Sequence, residues 1–140
     1  MRKKQTQEEK LDRIARRDNI TLLETDCREC GSLSVLVDGK CYVGIDENAC
    51  GVEKTVFKAH EMGHCEKGAF YNRYSPFDII SRHEAAADRW AIETLVPEDE
   101  LIEAFKKEIN TPYLLAEYFE VSEEFMVKVC KYYGYYFEAI

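Results

Sequence analysis

Lys54-Thr-Val-Phe-Lys-Ala-His-Glu-Met-Gly-His64 is the stretch from which the rest of the chain can be read. Residues 52–66 follow a helical pattern, and His60-Glu-Met-Gly-His64 within them has the form HExxH. Side chains four apart share a helix face, so His60 and His64 can aim two imidazoles at one ion. Glu61 lies about a hundred degrees round the helix from His60. From there its carboxylate can reach a water on the ion's open side and take its proton.

Two ligands do not hold a catalytic zinc, which usually has three protein ligands and a water. Glu84 stands twenty residues after His64, and Asp88 follows it at helical spacing. Glu84 is therefore the candidate third ligand. Asp88 can reach the other ring nitrogen of a ligand histidine, fixing its tautomer. His83 is an alternative third ligand, because Ser81-Arg-His-Glu84 also reads as a capping box. In that reading Ser81 is the N-cap of a helix running to about residue 94, and Glu84 serves the cap. HExxH alone arises by chance on polar helices, and the Glu84/Asp88 pair sets this one apart. No histidine follows His64 at metzincin spacing. Ala85-Ala-Ala87 and Trp90-Ala91 read as close helix packing with an aromatic anchor.

Upstream, Ser32-Leu-Ser-Val-Leu-Val37 and Lys40-Cys-Tyr-Val-Gly-Ile45 flank Asp38-Gly39, which supplies the positive φ angles of a two-residue hairpin turn. Residues 7–18 read as a helix with Leu11, Ile14 and Ala15 on one face. Pro97 suits the first turn of a helix to about residue 108. Thr111 and Ser122 read as caps of two shorter helices, the last ending at Gly134. With no repeats or linker, residues 1–140 read as one mainly helical α+β domain. Its parts are an N-terminal helix (1–20), a catalytic core (30–96) and a helical C-terminal part (97–140), helix-turn-helix-like at 111–134.

The chain has 140 residues and a net charge of −8. Residues 1–18 hold seven Lys/Arg and four Asp/Glu, so the remainder is strongly acidic. Such a surface repels phosphate backbones and favours basic partners. No apolar run approaches the ~20 residues of a membrane span, and no apolar run follows the basic start as in a signal peptide. A cytoplasmic location follows, and with it the expectation that the six cysteines are free thiols or metal ligands. Cys27/Cys30/Cys41/Cys50 is a conceivable structural metal site, although Cys41 falls mid-strand.

On Lys54–His64, together with Glu84-Ala-Ala-Ala-Asp-Arg-Trp-Ala-Ile-Glu-Thr-Leu-Val-Pro97, the hairpin and Leu115-Ala-Glu-Tyr-Phe-Glu-Val-Ser-Glu-Glu124, the chain resembles the ImmA/IrrE-type metallopeptidases. The resemblance covers residues 30–134. It implies a zincin-like gluzincin fold with a small sheet beside the HExxH helix. It also implies one zinc per chain on His60, His64 and Glu84, with Glu61 as the base. Ala86 stands where many relatives have a second acidic residue, which leaves Glu84 as the acidic candidate. The implied activity is regulatory, site-specific proteolysis of a basic helix-turn-helix repressor of a prophage or mobile element. Tyr71 and Tyr74, in the loop between the ligand segments, are candidates for stabilising an oxyanion.

Two other readings stay open. One is a metal-binding adaptor of the same fold without hydrolysis. The other is a DNA-binding regulator using residues 111–134, but that segment carries only Lys128 and Lys131 against four glutamates. Recognition helices need basic and amide side chains near their start, so direct nucleic-acid binding is not expected.

Overall fold

The computed structural model describes residues 5–137. Residues 1–4 of the basic start, and 138–140 of the domain as read from sequence, lie outside the described residues. The order is α1 (Gln7–Arg17), β1 (Ile20–Thr25), β2 (Ser32–Val37), β3 (Lys40–Asp46), α2 (Gly51–Lys67), α3 (Phe77–Leu95), α4 (Glu98–Lys106), α5 (Pro112–Phe119) and α6 (Glu123–Tyr133). This is the mainly helical α+β architecture with one small sheet that the sequence implied.

Leu11, Ile14 and Ala15 are the buried face of α1, and Thr6 closes a capping box with Glu9. The helix is tied to α2 by charge as well: buried Lys58 pairs with Glu8 and, at 3.3 Å, with Asp12, while Thr55 donates to Glu8 at 3.0 Å. Asp38 and Gly39 take φ of 51° and 76°, as the hairpin turn requires.

The sheet departs from the hairpin reading in one respect. Strand β1 was not expected, and it pairs parallel with β3 in the order β1-β3-β2. β3 is thus the central strand and β2 a free edge. The register sets Ser32 opposite Ile45 and Ser34 opposite Val43, on the face towards the helices. Leu33, Val35 and Val37 lie on the outer face and are exposed.

Helix α3 begins at Phe77 behind Pro76, four residues before the capping box. Ser81 is therefore inside the helix, and the Glu84 carboxylate is free for another use. Thr111 and Ser122 do cap α5 and α6, accepting from the Leu114 and Phe125 amides, and Gly134 ends α6 at φ 83°. The α5–α6 pair turns Leu115, Phe119, Phe125, Met126 and Val129 into the same core as Val43, Ile45, Met62, Ile92 and Leu95.

The expectation of free thiols fails for two cysteines. Cys41 faces inward from β3, and Cys65 faces it from α2. Their Cα atoms are 6.0 Å apart and the sulfurs are bonded. Cys27, Cys30, Cys50 and Cys130 are free. No four-cysteine metal site forms among the described residues, since Cys41 is committed elsewhere.

Candidate active site

Helices α2 and α3 pack against each other at their glycine- and alanine-bearing faces. A Cβ on Gly63 would meet the Ala87 backbone, so the two helices touch main chain to main chain. Ala87 and Ala91 are buried at this seam, as the alanine-rich segment suggested. The close approach brings Glu84 and Asp88 to the histidine pair.

Glu84 Oε2 lies 2.7 Å from His60 Nε2 and 3.5 Å from His64 Nε2. One donor atom from each of the three residues falls within 4.8 Å of the others. Tetrahedral zinc with ~2.0–2.1 Å bonds needs donors roughly 3.3 Å apart, and the two distances from Glu84 bracket that figure. His83 is not part of the group.

The remaining ring nitrogens decide which atoms can face an ion. His64 Nδ1 lies 2.6 Å from the Ala69 carbonyl oxygen. A carbonyl only accepts, so Nδ1 carries the proton and Nε2 offers its lone pair. His60 Nδ1 lies 2.8 Å from Asp88 Oδ1, which sets the same tautomer. Ala69 is placed by the αL cap of α2 at Gly68, φ 60°, with the Ala69 amide donating back to the His64 carbonyl. Lys128 of α6 approaches the other Asp88 oxygen at 3.5 Å.

Burial works against charge at each of these groups and is outweighed. At His60 it lowers the pKa, but the Asp88 hydrogen bond and the neighbouring carboxylates bring a net rise. At Glu84 burial raises it, while the Tyr71 hydroxyl and the two imidazoles hold the carboxyl below its ordinary value. At Asp88 burial is likewise overcome, by His60 and Lys128. Tyr71, donating to Glu84, is pushed up to about 12 by that hydrogen bond and by burial.

Glu61, His64, Tyr71 and Glu84 line a cleft of about 380 Å³ together with Ser32, Leu33 and Ser34 of β2 and Phe70 of the following loop. The strand beside the cleft is β2. Tyr71 is at the cleft and Tyr74 is not: Tyr74 is 79% exposed and its hydroxyl accepts from Arg73. Sequence reading missed Ser32, Ala69 and Lys128. Only Ala69 had a signal, the cap glycine before it.

A family model described as the IrrE N-terminal-like domain, Peptidase_M78, matches residues 43–131. The chain belongs to this family of metallopeptidases. The match runs from β3 through both ligand segments to α6, and leaves α1, β1 and β2 outside it. None of the curated proteins searched matches the chain. Within the family's metal-dependent chemistry, His60, His64 and Glu84 are a group able to hold an ion. Among the described residues no helix is long and apolar enough to cross a membrane.

Proposed function

We propose that this peptidase is a zinc endopeptidase that cuts one regulatory protein at one site. His60, His64 and Glu84 hold the ion, Asp88 orients His60, and Glu61 is the base. The observation that carries the reading is the convergence of two histidine Nε2 atoms and Glu84 Oε2, with both Nδ1 protons engaged elsewhere. Zinc at that point would supply Lewis acidity and lower the pKa of its water.

The chain's own residues do the rest. An extended substrate adds to the free edge of β2, where main-chain hydrogen bonds hold it along the cleft. Glu61 takes the proton of the attacking water and delivers it to the leaving amine. Tyr71 holds its single hydroxyl proton on Glu84, and once Glu84 turns to the ion that proton is free for the oxygen that gains charge at the scissile carbonyl. The target is a basic helix-turn-helix repressor of a prophage or mobile element in the cytoplasm, and the net charge of −8 favours such a partner. Residues 111–134 carry four glutamates against Lys128 and Lys131, which leaves α6 poorly equipped to read DNA itself.

Incubation with purified helix-turn-helix repressors from the same genome tests this. One product pair by mass spectrometry, lost in Glu61→Gln with zinc content retained, is the expected result. Cleavage that survives Glu61→Gln would remove the base from the mechanism. A Glu61→Gln protein that keeps every regulatory effect would favour the adaptor.

A further inference from the structure

Glu61 is held from outside its own helix. Ser32 Oγ donates to Glu61 Oε2 at 2.8 Å, and both residues are 9% exposed. Ser32 opens β2 and lies outside the stretch matched by the family model. Its place is set by the turn before it. The Gly31 amide donates to the Cys27 carbonyl at 2.7 Å, and the Gly31 carbonyl accepts from the Asp46 amide at 2.9 Å. Gly31 has φ +78°, and a Cβ there would come within 2.9 Å of the Phe57 ring. Phe57 is one helical turn before Glu61 on α2. The turn therefore packs on α2 at Phe57, and the next residue reaches Glu61.

We propose that Ser32 is a positioning residue for Glu61, fixing the carboxylate through Oε2 so that Oε1 is the oxygen that exchanges protons. This rests on the reading of Glu61 as the base. A hydroxyl suits the task because it donates in both states of its partner. Ionised, Glu61 accepts at Oε2; with a proton on Oε1, Oε2 is the carbonyl oxygen and accepts still. The serine proton stays on Oγ, and no bond to serine forms or breaks. What the contact contributes is orientation, since a carboxylate already in its reactive rotamer loses no further freedom at the reaction. It also gives the Cys27-Arg-Glu-Cys30 segment a role as the turn that seats Ser32.

The test uses zinc-loaded wild type, Ser32→Ala, Ser32→Thr, Ser32→Cys, Glu61→Gln and the double variant Ser32→Ala/Glu61→Gln. Zinc affinity is read by chelator competition, and acetohydroxamate binding by calorimetry. A hydroxamate yields its hydroxyl proton to a neighbouring carboxylate as it chelates, so its affinity reports the placement of Glu61. Ser32→Ala should keep zinc affinity within about threefold and weaken acetohydroxamate roughly 10-fold, the scale of losses at supporting hydrogen bonds. Ser32→Thr should restore binding, and Ser32→Cys, of similar size with a weaker donor, should fall between. The double variant should bind no more weakly than Glu61→Gln alone, because the serine acts through that carboxylate. Unchanged binding in Ser32→Ala, additive losses in the double variant, or loss of zinc with the serine would each overturn the inference. A Glu61→Gln protein that binds acetohydroxamate like wild type would instead overturn the base reading beneath it.

Discussion

A Cβ added to Gly63 would stand 2.5 Å from the Ala87 carbonyl oxygen and 2.9 Å from its Cα. The clash is with main chain, which cannot swing aside as a side chain would. Gly63 precedes His64 and Ala87 precedes Asp88, so whatever parts the two helices also parts the ligand group. Gly63→Ala should destabilise the fold by about 1–3 kcal/mol, as overpacking of a close contact does. Zinc per chain should fall with it. Thermal unfolding and elemental analysis on the same preparation check both, and a variant with wild-type zinc and stability would mean the seam yields.

In the proposed site Glu84 is the ligand that α3 supplies, so its removal should empty the site more completely than any change around it. Elemental analysis of protein purified under reducing conditions should give about one zinc per chain, as a site of three protein ligands and one open position takes, and far less in Glu84→Ala. Glu84→Ala protein that still holds zinc would put His83 or the cysteines back in contention.

Asp88 touches no ion in this scheme but fixes His60, so its loss should act through affinity. Asp88→Ala should weaken zinc binding roughly 10- to 100-fold. Lys128 meets Asp88 at 3.5 Å on an exposed flank. An exposed ion pair of that kind contributes little, so Lys128→Ala should change zinc affinity by less than about threefold. Chelator competition distinguishes the two, and equal losses would show that α6 sets the position of Asp88.

The parts of the fold that sequence revealed are those written in local spacing. HExxH, the Glu84/Asp88 interval and Asp38-Gly39 each lie within one element or one turn, and each stands where its spacing put it. Strand β1 escaped because its partner β3 is some twenty residues away and parallel, with no turn between them to announce the pairing. The start of α3 was misplaced by a genuine rival: Ser81 and Glu84 have capping-box spacing, but Phe77-Asp-Ile-Ile80 continues the helix backwards, and Glu84 is drawn to Tyr71 and His60. Ser32 and the Cys41–Cys65 bond depend on how β2 and β3 lie against α2, which no spacing records.

Asp18 and Glu66 bring two carboxyls together at the ends of α1 and α2, and this pair should shape the pH dependence of stability. Glu66 is pushed up to about 7, by burial first and then by the hydrogen bond and charge of Asp18. Asp18 is held down at about 2 by its hydrogen bonds to Arg17 and Glu66. Among the described residues Glu66 Oε1 is buried without a donor, so a proton on Glu66 is what lets the two carboxyls bond. The folded chain therefore keeps a proton that the unfolded chain releases near pH 4.5. That contribution is fully present below about pH 4.5 and is lost as the pH rises to about 7. Asp18 acts oppositely: its contribution is present above about pH 3.8 and is lost as the pH falls towards 2. Urea unfolding between pH 5 and 8, with zinc in excess so that His60 and His64 stay ligated, should show wild-type stability falling as pH rises. Glu66→Gln, which cannot ionise, should flatten that slope and be relatively more stable at the alkaline end. Parallel pH profiles for the two proteins would mean that the pair is already relaxed by solvent.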